Sequence, residues 1–132
     1  MMTDPIGDLI TRIRNAGIAR HTSTQCPSSR QKLAVARVLG EAGFVGAVEE
    51  EQQGNGMRVL RIGIRYDDSG RALIDGIRRV SKPGCRVYVG KGEIPEVRNG
   101  LGLAILSTSR GIVSSDQARE LALGGEVICE VW

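Results

Sequence analysis

Leu101-Gly-Leu-Ala-Ile-Leu-Ser-Thr-Ser-Arg-Gly111 is an apolar run that stops at three consecutive hydroxyl side chains, an arginine and a glycine. A run of that length bounded by turn residues reads as a buried strand, so Ser107, Thr108, Ser109 and Arg110 emerge together at its end. The loop then presents hydroxyls, backbone amides and a guanidinium, and no group that obviously performs chemistry. Such donors suit phosphate and sugar oxygens, which take most protein contacts to nucleic-acid backbones. As plain turn chemistry, the same residues simply end a strand.

Downstream of this tract, Gly111-Ile-Val113 reads as a further strand. Ser114 with Gln117 makes a capping box for one or two helical turns, ended by Gly124-Gly125 before a last strand, Glu126 to Val131. Upstream, Cys85-Arg-Val-Tyr-Val89 alternates as a strand. Lys82-Pro83-Gly84 predicts a type II turn, with Gly84 taking the positive φ. The stretch 72–80 is ambiguous, because Leu73, Ile74, Ile77 and Val80 suit helical spacing as well as a broken strand pattern. Asp67-Asp-Ser-Gly70 is the clearest break in composition and a candidate hinge.

At the other end of the chain, Asp4-Pro5 predicts a helix start, Asp4 as the cap and Pro5 at the first helical position. Ile6, Leu9, Ile10 and Ile13 form its apolar stripe, and the helix frays near Gly17. A polar loop, 21–25, leads to a second helix capped by Ser28, running to about Ala42 and closed by Gly43. Arg30 and Arg37 stand on its polar face with Lys32 at the flank. Phe44 to Val48 and Met57 to Tyr66 read as strands of a hairpin turning at Gly54-Asn55-Gly56. The expected class is α+β in two small lobes. Residues 1–68 place two helices on a small sheet, and residues 69–132 are mainly β with short helices.

The chain has 132 residues, 41% of them hydrophobic, enough for an ordinary core. Its net charge of +3 is a modest excess, but it is blocked. Residues 1–43 hold six Lys/Arg against three Asp/Glu and residues 71–100 hold seven against three, while 44–70 and 101–132 are net acidic. Blocked basic charge fits a polyanionic partner, or solvated faces. Four aromatics, Phe44, Tyr66, Tyr88 and Trp132, are too few for a single-strand binder built on stacking platforms, though not for recognition of folded RNA. Three widely separated cysteines imply no disulfide framework and a reducing, cytoplasmic setting. The start of the chain does not read as a secretory signal, and no apolar run reaches the length of a membrane span.

The remaining motifs complete no catalytic or metal-binding pattern. Gly90-Lys-Gly92, Gly54-Asn-Gly56 and Gly100-Leu-Gly102 complete no phosphate-binding pattern. No nucleophile elbow occurs, and the single His21 has no cysteine motif to join, which argues against catalysis by Ser107, Ser109 or Cys129. The three cysteines and the histidine lack paired metal-ligand spacing. No cofactor or metal is expected. Glu49-Glu-Glu51 and Asp67-Asp68 read as solvated loop charge. Cys85 and Cys129 read as small core residues, with contact to a ligand as the alternative for Cys129 on the last strand.

Seven ordered motifs carry a resemblance: Asp4-Pro-Ile-Gly-Asp-Leu-Ile-Thr-Arg-Ile-Arg-Asn15, Pro27-Ser-Ser-Arg30, Arg79-Val-Ser-Lys-Pro-Gly84, Arg86-Val-Tyr-Val89, Leu101-Gly-Leu-Ala-Ile105, Ser107-Thr-Ser-Arg-Gly111 and Gly124-Gly-Glu-Val-Ile-Cys129. Together they resemble the bacterial small-subunit ribosomal protein family S-eight over the whole chain, least between residues 49 and 71. The resemblance implies strand after Gly70. It also implies a structural component of the small subunit that binds the central domain of its ribosomal RNA early in assembly, touches neighbouring ribosomal proteins, and is a monomer outside the ribosome. By resemblance Ser107, Thr108 and Ser109 grip an irregular RNA helix, with Arg110 nearby. Tyr88, Gly124, Gly125 and Glu126 line the same face, and Cys129 is a candidate to join them. Secondary contacts fall to Asp4, Thr11, Arg14, Asn15, Ser28, Ser29, Arg30 and Lys32. Some members repress translation of their own messenger RNA, which the resemblance allows here without deciding it.

Two positions depart from the family pattern. Gln31 stands where an aliphatic residue is usual, on the Val35 side by helical spacing, which predicts a less well packed first turn or an amide left to find a partner. Glu130 replaces a tyrosine, which either weakens the proposed face by its charge or points away from it. A general protein-interaction module is the competing class, and it predicts salt-insensitive binding indifferent to RNA.

Overall fold

The computed structural model describes residues 4–132. The reading of residues 1–3 as part of the chain's start lies outside them. Contacts divide the described chain into two units, Pro5–Asp75 and Gly76–Trp132, with Asp4 grouped with the latter. No described helix is long and apolar enough to cross a membrane.

In the first unit, helix α1 (Pro5–Ile18) buries the stripe read from the sequence, Ile6, Leu9, Ile10 and Ile13, and adds Ala16. Helix α2 (Arg30–Glu41) buries Val35, Ala36, Val38 and Leu39. Both pack on a three-stranded antiparallel sheet ordered β1-β3-β2, built from β1 (Ser23–Pro27), β2 (Val45–Gln52) and β3 (Arg58–Ile64). Strand β1 replaces the expected polar loop. Only its Cys26 is buried, so its state is set by pairing with β3 and not by its own alternation. The cap of α2 is Ser29, whose hydroxyl accepts from the Lys32 N–H, one residue later than expected. Gln31 is exposed, so its amide faces water and the packing defect expected there does not arise.

The expected hinge is a closed turn. Asp67 Oδ1 accepts from the Ser69 N–H, the Ser69 hydroxyl and the Arg71 N–H, and Gly70 takes φ +85°. Beyond it the chain turns back: Tyr66 bridges Ala72, and the Leu73 N–H donates to the Arg65 carbonyl. Contacts therefore assign residues 69–75 to the first unit, and the seam falls at Asp75/Gly76 instead of after residue 68.

The second unit is a sheet of β4 (Ile77–Arg79), β5 (Tyr88–Val89), β6 (Leu103–Thr108), β7 (Gly111–Ser114) and β8 (Gly125–Val131), ordered β4-β8-β6-β7, with β5 also on β8. The ambiguous 72–80 stretch holds only the short strand β4. Positive φ among the described glycines is confined to Gly43, Gly56, Gly70, Gly100 and Gly111, so the Lys82–Cys85 turn closes without the one expected at Gly84. Helix α3 (Ser115–Leu121) is capped by Ser114 Oγ, which accepts from the Gln117 N–H as the capping box predicts. It packs on β6 and β7 over a core of Ala104, Leu106, Val113, Ala118 and Val127. Burying each large aliphatic side chain of this kind stabilises the fold by about 1.5–3 kcal/mol.

One irregularity sets which face each side chain joins. Between β6 and β8 the register runs Leu103↔Val131, Ala104↔Glu130 and Ile105↔Cys129, then skips to Leu106↔Val127 and Ser107↔Glu126. Ile128 is the extra residue of this bulge. Because side chains alternate along a strand, Glu126 and Ser107 lie on the face opposite Leu106, Val127 and helix α3.

Candidate nucleic-acid interface

The last turn of β6, the start of β8 and β5 bring four side chains into one row. Tyr88 pairs with Glu126, Glu126 with Ser107, and Ser107 with Ile112. At the usual spacing of neighbouring strands the row spans about 14 Å. Tyr88 is 69% exposed, so its ring is available at one end.

The sequence reading takes Gly124-Gly125 as a helix end, but the left-handed cap falls on Ala122 at φ 54°. The glycines serve close approach. A Cβ on Gly125 would lie 2.1 Å from the Ser107 carbonyl oxygen, and one on Gly124 would lie 2.3 Å from that of Val89. Strands β5 and β6 therefore meet β8 closely where the row crosses it.

The hydroxyl loop divides its labour. Thr108 Oγ1 donates to the Gly111 carbonyl at 2.8 Å and accepts from the Arg110 N–H at 3.1 Å, so it closes the β6–β7 hairpin. The Ser107 and Ser109 hydroxyls have no partner among the described residues. Ser109 and Arg110 are exposed. The loop thus offers two open hydroxyls and a guanidinium, with the third hydroxyl fixing their positions.

Glu126 is held from behind. Ser81, with no exposed surface, donates its hydroxyl to Glu126 Oε2, and Arg86 Nη1 donates to the same oxygen at 3.0 Å. Burial alone would raise its pKa, but these donors outweigh it and hold the carboxyl below its ordinary value. Neither Ser81 nor Arg86 was singled out from the sequence, although both lie in quoted motifs. A serine inside an otherwise basic tract was the available signal.

Cys129 has no exposed surface, and burial pushes its thiol up to about 12, so the structure carries the core reading of that residue. Glu130 lies on the α3 face and pairs with Arg78. Asp4 directs its carboxylate to Arg79 Nε and Nη2.

In the first unit Thr11, Arg14 and Asn15 are exposed at the i, i+3 and i+4 positions of α1 and so share one face. Thr11 donates its hydroxyl to the Gly7 carbonyl. Around the start of α2 the polar groups turn inward. Ser28 donates to Glu50, Ser29 caps the helix, and Lys32, 7% exposed, places Nζ on the Pro27 carbonyl at 2.9 Å. Arg30 remains exposed. No three His, Cys, Asp or Glu side chains gather as a metal site among the described residues.

Comparison with known proteins gives a consistent result. Residues 4–132 match the family described as Ribosomal protein S8. The chain is 54% identical to the small ribosomal subunit protein uS8 of Sorangium cellulosum, over the full length of both. It is 52% identical to that of Syntrophotalea carbinolica, over 99% of this chain and 98% of the relative, and 52% identical to that of Caldanaerobacter subterraneus subsp. tengcongensis, over 100% and 99%.

Proposed function

This chain belongs to the ribosomal protein S8 family, and from that premise we propose that it is a structural, non-catalytic component of the small ribosomal subunit that binds the central domain of its 16S ribosomal RNA. The observation that carries the reading is the row Tyr88–Glu126–Ser107 with the open hydroxyls of Ser107 and Ser109 at its edge. A-form RNA presents 2′-hydroxyls and base edges in a wide, shallow minor groove, and hydroxyl side chains both donate to and accept from such groups. Arg110 adds attraction to phosphate, and one exposed ring at Tyr88 supplies a stacking surface suited to an irregular helix.

On this reading the exposed face of α1, with Thr11, Arg14 and Asn15, makes secondary contacts, joined by Arg30. The remaining surface meets neighbouring ribosomal proteins, and the protein acts early in subunit assembly in the cytoplasm. A messenger segment that reproduces the ribosomal site would occupy the same row, which makes translational autorepression part of the proposal.

The test is binding of the purified protein to a central-domain ribosomal RNA fragment and to a plain duplex of equal length, across a salt series. Selective binding to the fragment, weakened roughly tenfold or more by Ser107→Ala/Ser109→Ala, is expected from the loss of two hydrogen-bonding groups. Equal affinity for both RNAs with a steep salt slope and no effect of the double substitution would refute the reading.

A further inference from the structure

Ser81 is tied to β8 twice over. Its N–H donates to the Val127 carbonyl at 3.0 Å and its hydroxyl donates to Glu126 Oε2, while the same hydroxyl accepts from the Val87 N–H at 3.2 Å. Arg86 Nη1 reaches Oε2 as well. The buried Ser81 hydroxyl and the half-exposed Arg86 guanidinium therefore converge on one carboxylate oxygen. Oε1 has no partner among the described residues, and no described side-chain oxygen or nitrogen is both buried and unpartnered, so Oε1 reaches solvent. The register places it between Tyr88 and Ser107.

We propose that Ser81 and Arg86 are positioning residues of the RNA face, which hold Glu126 Oε1 outward as a fixed acceptor for one N–H or O–H donor of the RNA, a base amino group or a ribose 2′-hydroxyl. The inference rests on the RNA-binding reading above. A carboxylate accepts and never donates, and its charge opposes phosphate. An RNA that sets a phosphate, carbonyl or ring nitrogen against Oε1 leaves two acceptors facing each other and desolvated, whereas one that brings a donor gains a charge-assisted bond. A face of hydroxyls alone tolerates many backbones. The fixed carboxylate within it rejects those with the wrong group at one place, which is specificity by exclusion. Arg86 offsets part of the charge, and Ser81 fixes the rotamer from inside the fold.

The experiment combines affinity with nucleotide-analogue interference. The central-domain fragment is prepared with sparse inosine, which lacks the guanine amino group, with sparse purine or cytosine analogues lacking their amino groups, and with sparse 2′-deoxy positions. Wild-type protein is expected to show interference at a position dependent on one of these donors, and which analogue interferes identifies the base or the ribose as the source. Ser81→Ala, Arg86→Gln and Glu126→Gln are each expected to weaken binding about tenfold, to lose that interference, and to be non-additive in pairs. The salt slope of Ser81→Ala stays that of wild type, because no phosphate contact is removed. A structural loss alone would lower affinity without erasing one interference position. If Ser81→Ala is unfolded by circular dichroism, Arg86→Gln, on a half-exposed side chain, decides the matter. Selective wild-type binding with unchanged affinity and interference in the folded variants would overturn this inference alone. Failure of the wild type to distinguish the fragment from plain duplex would overturn the RNA reading itself.

Discussion

Replacing Gly125 by alanine tests whether the crossing of β6 and β8 depends on the absence of a side chain. The added Cβ would stand 2.1 Å from the Ser107 carbonyl oxygen, 2.9 Å from its carbonyl carbon and 3.2 Å from Thr108 Cα. All three are backbone atoms of a paired strand, so none can swing aside as a side-chain tip would. Non-bonded contacts are favourable near 3.5–4.0 Å, which requires the strands to part by more than about 1 Å. That displacement breaks the ladder at Ser107↔Glu126 and strains it at Leu106↔Val127. With about 1 kcal/mol for each of one or two hydrogen bonds and 1–3 kcal/mol for overpacking, the loss comes to roughly 2–5 kcal/mol. This is a large share of the roughly 5–15 kcal/mol that holds a typical domain. Gly54→Ala is the matched control, since a Cβ there meets nothing within 4 Å and φ is not positive. It should shift stability by less than about 0.5 kcal/mol. Urea unfolding of both variants and wild type, followed by circular dichroism, compares the midpoints. A Gly125→Ala midpoint indistinguishable from that of Gly54→Ala would refute the close-approach argument.

Three further outcomes follow from the same geometry. Glu130→Tyr should leave RNA affinity equal or improved and change stability by less than about 1 kcal/mol, because Glu130 lies on the α3 face and pairs with a mostly exposed Arg78; a clear loss of affinity would show a specific contact by the glutamate. In native buffer at pH 8 a thiol reagent should modify Cys85 quickly and leave Cys26 and Cys129 unmodified, since both are buried and burial raises both thiols, with three fast thiols in denaturant; rapid modification of Cys129 in the folded protein would contradict its burial. The Glu126 pKa is lower in the folded chain than its ordinary 4.5, so its bonds to Ser81 and Arg86 stabilise the fold fully above that value and cease to as pH falls through the folded pKa; the midpoint difference between wild type and Glu126→Gln should shrink in acid, and a difference constant from pH 7 to 3 would exclude the linkage.

Helices and buried strands were legible because their residues carry periodicity. The stripe of α1 and the run Leu103 to Leu106 are buried as their spacing requires. Strand β1 was not legible, because Ser23, Thr24 and Gln25 carry no apolar alternation and the strand exists through its pairing with β3. At the candidate site the residue types were readable and their allegiances were not. Three adjacent hydroxyls look alike in sequence, yet the hairpin claims Thr108 and leaves Ser107 and Ser109 open. Ser28 and Ser29 are equally good caps, and the choice falls to Ser29 because Ser28 is drawn to Glu50 on a strand far along the chain. Lys32 lies at the flank of a polar helix face but finds a carbonyl that only the tertiary fold supplies.

The extra residue at Ile128 shifts the phase of β8. On its far side Cys129 and Val131 occupy odd beats facing one way, and on its near side the even-numbered Glu126 takes that same face while Val127 turns to the core. A strand read without this slip would seat Glu126 beneath the sheet and expose Val127 beside Ser107. One inserted residue therefore keeps two halves of a single strand in different frames, the half that stabilises the fold and the half that displays its row. Removing Ile128 would leave a regular strand with Glu126 still opposite Ser107, whereas pairing Ile128 into the ladder would invert the displayed half.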